Sequence, residues 1–247
     1  MTLQEFFTNY PQIAVAFSGG ADSAYLLYMA KQYAEETLGI YVSTPFQPAF
    51  EKQDAVRFCR EYDIPLTIVP YDIFQHQNVV DNPADRCYHC KTALFTQILK
   101  TAEESGFSCL ADGTNASDDS ADRPGMRALK ELCVLSPLRI CGITKSVLRD
   151  ESEKLGLFTA RKPAYACLAT RIPTGTPLTR ELLCQIETAE NALFDMGFSD
   201  FRVRRLADAA KLQIPSDQFP LILEKRADLM RILKPVFGNV YLDLEGR

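Results

Sequence analysis

The stretch Ile13-Ala14-Val15-Ala16-Phe17-Ser18-Gly19-Gly20-Ala21-Asp22-Ser23 decides the fold. Its first five residues are an apolar run that reads as a buried strand, and Ala21 onward is compatible with a helix. Between them, paired glycines let the chain turn and bring backbone N–H groups close to an anion. Strand, glycine turn and helix start, in that order, are how an α/β protein sets a phosphate on a helix N-terminus. Ser18 and Ser23 add hydroxyl donors. The lysine of G-x-x-x-x-G-K-[ST] is missing, so the stretch is not a Walker A loop.

Composition narrows the class. A chain of 247 residues suits one large domain, or one with a small companion. The formal charge of −5 argues against a broad basic footprint for nucleic acid. The start Met1-Thr2-Leu3-Gln4-Glu5-Phe6-Phe7 lacks a basic region followed by an apolar core, and so does not read as a signal peptide. No run approaches the roughly 18 apolar residues that span a bilayer. Eight cysteines without an export signal are expected to be reduced thiols. The expectation is a cytoplasmic globular enzyme that engages neither nucleic acid nor membrane.

From Ile13 to about Thr170, strand and helix patterns alternate, as in a parallel sheet with crossover helices. Ala21 to Leu38 reads as a helix closed by Gly39, Ile40 to Thr44 as the second strand, and Phe50 to Tyr62 as the next helix. Leu66 to Val69, a helix from Thr92 to Ser105, the strand Cys109-Leu110-Ala111 and a helix from Lys145 to Leu155 follow. Asp112 to Arg127 is too polar for a core element, and loops of that length are usually functional. A second unit begins near Pro177, with Thr179 capping a helix that Gly197 stops. Phe201–Arg204 and Lys211–Ile214 alternate like paired strands; a helix through Leu233 and a strand from Val240 to Leu244 complete a small α+β domain. The predicted domains are therefore 1–176 and 177–247.

The Ser18–Ser23 loop matches the SGGxDS phosphate loop of PP-loop ATP pyrophosphatases, which hold pyrophosphate while AMP passes to a substrate. Catalysis there is charge stabilisation and positioning, so Mg²⁺ and basic groups are expected around the phosphates, with Asp22 orienting the loop or assisting the metal. The end of the second strand, at Thr44, is where a doubly wound sheet meets the nucleobase or ribose. Cys87-Tyr88-His89-Cys90-Lys91 carries a C-x-x-C just before a predicted helix. Alone it fits a zinc half-site, a redox pair or two incidental thiols. Cys167, in a Pro-bracketed segment, is a third candidate ligand; three cysteines would leave one iron of a four-iron cluster open to sulfide. The other five, Cys59, Cys109, Cys133, Cys141 and Cys184, sit in apolar company and read as buried small hydrophobes. Arg202 and Arg204, spaced i, i+2, share a strand face able to grip a phosphate.

Taken together, SGGADS, RCYHCK, the loop 112–127, ACLATRIP and FRVRR resemble the LarE family over nearly the whole chain. These are PP-loop sulfur transferases of nickel-pincer nucleotide cofactor biosynthesis. The resemblance implies an adenine nucleotide alpha hydrolase-like domain that adenylates pyridinium-3,5-biscarboxylic acid mononucleotide and converts its carboxylates to thiocarboxylates. It places ATP against Ser18, Gly19, Gly20, Asp22, Ser23, Thr44, Gly113 and Asn115, and substrate or phosphate against Arg123, Arg171, Arg202, Arg204 and Glu190. Cys167 matches a sacrificial cysteine of the family, whereas the added Cys87 and Cys90 favour the version in which three cysteines hold a [4Fe-4S] cluster fed by a sulfide donor. A trimer-based homo-oligomer, up to a hexamer, is also implied. One departure is the turn Leu206-Ala207-Asp208, which lacks the His-Gly pair expected after the arginine strand. His76 and His89 read as bystanders. The competing functions are a tRNA thiolase, which needs a basic surface this composition does not supply, an amide-forming ligase, and a non-enzymatic AMP sensor.

Overall fold

The computed structural model describes residues 1–118 and 124–246. They form two compact units: residues 1–79 with 85–165, and residues 80–84 with the chain from Ala166 onward. Among the described residues, no helix is long and apolar enough to cross a membrane.

In chain order the first part reads α1 (Leu3–Asn9), β1 (Gln12–Ala16), α2 (Ala21–Tyr33), β2 (Glu36–Ser43), α3 (Ala49–Glu61), β3 (Leu66–Pro70), α4 (Gln77–Val80) and α5 (Arg86–Glu104). β4 (Leu110–Ala111), α6 (Pro124–Glu131), α7 (Pro137–Ile140) and α8 (Lys145–Lys154) complete it. The sheet is parallel throughout, in the order β3-β2-β1-β4. Side-chain alternation clothes both faces: Ile13, Val15 and Tyr41 join the cluster of Phe6, Phe7, Leu26, Leu27 and Phe58. Ala14, Ile40 and Val42 turn to the opposite side and pack with Ile98 and Ala102 of α5. Strands buried on both faces are the mark of a doubly wound α/β sheet, so the expected fold class is found.

The predicted helix to Leu38 is corrected. α2 stops at Tyr33, and Gly39 lies inside β2, paired with Val15. It is not a helix cap: a Cβ there would stand 3.2 Å from Leu27 Cδ2, so glycine lets α2 lie close on the sheet. α5 begins at Arg86 rather than Thr92, which puts Cys87 and Cys90 inside its first two turns and not ahead of it. The polar stretch 112–127 includes the start of α6, whose Ala128 and Leu129 are buried.

The second unit carries α9 (Arg180–Asp195), β5 (Arg202–Leu206), β6 (Ala209–Gln213), α10 (Phe219–Glu224), α11 (Arg226–Phe237) and β7 (Asn239–Leu242). Thr179 caps α9 as expected, accepting from the Leu182 N–H at 3.1 Å. β5 and β6 form an antiparallel hairpin, and β7 lies parallel to β6. The long predicted helix from residue 216 is broken at Lys225 into α10 and α11. Residues 166–176, predicted as the end of the first domain, fall in this unit together with 80–84. Asn82 ties them: buried at φ 54°, its amide donates to the carbonyls of Pro173 (2.8 Å) and Thr176 (3.0 Å), while its own carbonyl accepts from Gly175 at 2.8 Å.

Candidate active site

The strand order reverses at β1, with β2 on one side and β4 on the other. The carboxyl ends of strands at such a switch point are where open α/β sheets bind ligands, and residues 17–20 leave β1 there. Gly20 is the N-cap of α2 and, lacking a side chain, makes no cap hydrogen bond, so the first-turn N–H groups face the loop without a side-chain acceptor. The hydroxyls of Ser18 and Ser23 lie 3.0 Å apart; Ser23 Oγ accepts from the Ser18 N–H (3.2 Å) and donates to the Gly20 carbonyl (3.2 Å). Both serines thus shape the turn as well as lining it.

Two glycines are dictated by close approach. Gly19 sits at φ 77°, and a Cβ on it would come within 2.7 Å of the Glu51 carbonyl oxygen. Gly113, just past β4, would place a Cβ 2.8 Å from the Ser23 nitrogen. The loop after β4 therefore closes directly on the first turn of α2, and the two loops that flank the switch point are one packed structure.

That second loop is held by its own polar residues. Buried Asp112 accepts from Thr114 Oγ1 and, at 2.6 Å, from Ser136 Oγ. Asn115 Oδ1 accepts from the Ser117 N–H (2.8 Å), the Asn115 N–H donates to Asp118 Oδ2 (2.9 Å), and Ser117 Oγ accepts from the Lys145 N–H (3.0 Å). Thr44 is buried at the end of β2, where its N–H and hydroxyl both donate to Gln47 Oε1, so it builds the turn that follows the strand. Arg123 lies outside the described residues.

Charge around the loop comes partly from residues that the motifs do not flag. Asp22 pairs with Lys145 Nζ at 2.5 Å. Lys162 Nζ donates to the Gly19 carbonyl at 3.0 Å and reaches Asp54 at 2.7 Å and Glu51 at 3.9 Å. Burial pushes the Glu51 carboxyl up to about 7, with Lys162 opposing the rise and Asp54 adding to it. One signal for Lys145 was available in the sequence. It stands at the first position of a helix, where a cation opposes the helix dipole and needs a local reason to be there.

In the second unit, Cys167 precedes a short 3-10 turn, Leu168–Arg171, whose Leu168 and Ala169 are fully buried. Its carbonyl accepts from the Thr170 N–H (3.0 Å), Thr170 Oγ1 (2.7 Å) and Arg171 Nη1 (3.4 Å). Arg171 in turn is locked to Glu190, whose Oε1 also accepts from the Val203 N–H at 2.8 Å. Arg204 Nη1 donates to the Thr170 carbonyl at 2.7 Å. The structure therefore brings Cys167, Arg171, Glu190 and Arg204 together, with both arginines and the glutamate bonded to the backbone or to one another. Arg202 and Arg204, two residues apart on β5, differ in exposure. Arg202 is buried and donates to the Phe201 carbonyl at 2.5 Å, whereas Arg204 is exposed.

Cys87 is exposed and Cys90 half-buried, one helical turn apart on α5, so the pair can offer two thiolates from one face. Among the described residues, no group of three or more His, Cys, Asp or Glu side chains is gathered as a metal site. Cys133 and Cys184 are exposed, and not the buried hydrophobes expected: Cys133 sits in the turn after α6, and Cys184 on the outward side of α9. His89 is held by Asp85 (3.2 Å) and Asn78 (3.0 Å), and His76 by the Tyr71 hydroxyl (2.6 Å).

A lysine-free glycine loop on the first strand of a doubly wound parallel sheet, sealed at the switch point by a second glycine loop, defines a PP-loop nucleotide-binding protein of the adenine nucleotide alpha hydrolase type. No family model matches the chain. It is 31% identical over 249 residues to a protein of Synechocystis described only as uncharacterized, covering 99% of this chain and 92% of that one. It is 27% identical over 248 residues to the pyridinium-3,5-bisthiocarboxylic acid mononucleotide synthase of Lactiplantibacillus plantarum, covering 99% and 90%. A shorter match, 27% over 177 residues, links 59% of the chain to half (50%) of a tRNA-specific 2-thiouridylase of Clostridium botulinum. The chain belongs to the LarE family of ATP-dependent PP-loop sulfur transferases.

Proposed function

We propose that this enzyme adenylates a carboxylate of pyridinium-3,5-biscarboxylic acid mononucleotide and replaces AMP with sulfur, giving the thiocarboxylate. A carboxylate oxygen attacks the α-phosphorus of ATP, the bond to the bridging oxygen of the β-phosphate breaks, and pyrophosphate leaves. Sulfide then adds to the activated acyl carbon and AMP departs. The observation that carries this reading is the lysine-free phosphate loop at the switch point, with the uncapped first turn of α2 behind it. Asp22, paired with Lys145, would orient the loop, and Mg²⁺ would offset phosphate charge. Full-length similarity to a bisthiocarboxylic acid synthase supports the substrate class.

For the sulfur, we assign Cys87, Cys90 and Cys167 as ligands of a [4Fe-4S] cluster. When bound, three-thiolate ligation would leave one iron to carry an exchangeable sulfide. The chain's own part is to hold the thiols. Cys87 and Cys90 share a helix turn, and the backbone of Cys167 is fixed by Thr170 and Arg171. Anaerobically purified protein should contain iron and sulfide, form AMP and pyrophosphate, and keep Cys167 intact by mass after many turnovers. ADP and phosphate as products would overturn the adenylation. A loss of roughly 34 Da at Cys167, the mass of H₂S, after a single turnover would replace the cluster by sacrificial transfer from that residue.

A further inference from the structure

The proposed reaction expels pyrophosphate from a loop without a Walker A lysine, yet a cation stands behind that loop. Lys162 is nearly buried, and its ammonium is shared between the Gly19 carbonyl (3.0 Å), Asp54 (2.7 Å) and, further off, Glu51 (3.9 Å). Its Nζ also lies 5.3 Å from the centroid of the Phe50 ring.

We propose that Lys162 is the positioning cation of this loop: it fixes the Gly19–Gly20 peptide from behind, so that the Gly20 N–H is presented to the departing pyrophosphate, and it places a positive charge on the far side of that peptide. The inference rests on the AMP-forming reading above. Across a trans peptide the carbonyl and the N–H point in opposite directions. Anchoring the Gly19 carbonyl on Lys162 therefore aims the Gly20 N–H the other way, toward Ser18 Oγ at 3.4 Å and into the loop. Gly19 is the one residue type that can take φ 77° while passing within van der Waals reach of the Glu51 backbone, so the lysine and the glycine are one device. Lys145, a second ammonium at the loop, is paired with Asp22 at 2.5 Å as Lys162 is with Asp54; what sets Lys162 apart is its bond to the Gly19 carbonyl.

The surroundings of Lys162 set how its charge is shared. Glu51 is faced by Lys162, by Asp54 on its own helix and by the Tyr41 hydroxyl from β2. Two ionised carboxylates around one ammonium would leave a net negative group beside an anion site. With the Glu51 carboxyl pushed up to about 7 by burial, the group is close to neutral at and below that pH. When pyrophosphate draws on the lysine's charge, Glu51 loses part of what holds its proton affinity down. Binding should therefore take up a proton and weaken as pH rises through 7 and above.

The test is calorimetric titration of the full chain with inorganic pyrophosphate and with AMP, from pH 6 to 8.5, using wild type, Lys162→Gln, Lys162→Arg and Glu51→Gln. Gln keeps an N–H donor for Gly19 without the charge. We expect Lys162→Gln to weaken pyrophosphate by roughly 10- to 100-fold, through loss of the charge behind the loop, with AMP affinity unchanged and Lys162→Arg recovering most of the loss. Glu51→Gln should bind pyrophosphate more tightly than wild type at pH 8.5 and equally at pH 6, a comparison in which the ligand's own titration cancels. Unchanged pyrophosphate affinity in Lys162→Gln overturns the proposal. So does equal weakening of AMP and pyrophosphate that Lys162→Arg fails to restore, which marks a merely structural role. Product analysis of the wild type separates the two layers. ADP and phosphate would remove the adenylation and this inference together, whereas AMP and pyrophosphate beside an unaffected Lys162→Gln would remove this inference alone.

Discussion

Arg171 and Glu190 form a fork-to-fork ion pair with neither side chain exposed: Nε to Oε1 at 2.9 Å and Nη2 to Oε2 at 3.2 Å. The remaining guanidinium nitrogen, Nη1, donates to the Ala166 carbonyl (2.9 Å) and Thr170 Oγ1 (2.8 Å), so the pair is bonded on both sides of Cys167. A buried charge pair is weak evidence of stabilisation, because desolvation offsets the attraction. Breaking it is another matter.

Glu190→Ala or Arg171→Ala leaves one uncompensated buried charge, and either should cost about 3–5 kcal/mol in urea unfolding. Glu190→Gln keeps an acceptor for the Val203 N–H and should cost less. Wild-type stability in Glu190→Ala would show that the pair is not held as described.

Arg202→Ala and Arg204→Ala should separate. Arg202 is buried against its own backbone, so its removal should lower stability by about 1–3 kcal/mol. Arg204 is exposed, and its loss should cost under about 1 kcal/mol while loosening the Thr170 carbonyl that it holds at 2.7 Å. Equal unfolding midpoints for the two variants would contradict this.

Gly19→Ala and Gly113→Ala should both abolish AMP formation in protein that still folds. The first meets the Glu51 carbonyl at 2.7 Å and the second the Ser23 nitrogen at 2.8 Å, and in each case backbone must move. Ser23→Ala removes the hydroxyl that links Ser18 and Gly20, and should slow AMP release by at least about tenfold. Normal kinetics in Gly113→Ala would mean that the two loops do not act as one.

Glu51 makes stability depend on pH. Its folded carboxyl sits at about 7, above the ordinary 4.5, so between these values the folded protein binds more protons than the unfolded chain. Stability should therefore fall as pH rises through that window and level off above it, by up to about 3 kcal/mol. Thermal melts of Glu51→Gln should lack this component. An identical pH slope in the two proteins would assign the effect to other groups.

Thiol labelling should sort the cysteines by burial. Cys59 is buried, and its thiol is pushed up to about 12, so it should resist iodoacetamide until the protein unfolds. Cys87, Cys133 and Cys184, all exposed, should label first in mass spectra of the metal-free protein, and labelling of Cys133 and Cys184 should leave AMP formation intact.

The loop Ser18–Ser23 could be read from sequence because local rules fix it: an apolar strand, then glycines, then a helix start, each within a few residues. The same holds for the Thr179 cap and the β5–β6 pair, where period and turn chemistry agree. The end of α2 could not be read in this way, because Leu38-Gly39 satisfies a helix C-terminus as well as a strand. Only pairing with Val15 and contact with Leu27 select the strand. Arg202 and Arg204 have the spacing of one strand face, but spacing does not say which of the two is covered. Packing buries Arg202 and leaves Arg204 exposed. Lys162 and Glu51 are far apart in sequence and carry no motif, so their place behind Gly19 follows from how α3 and the chain after α8 pack on the loop. The sequence by itself determined the phosphate loop and the family, whose signals are local and contiguous. Tertiary structure decided which charges neutralise one another, because that depends on burial and distances of a few ångströms between residues remote in the chain.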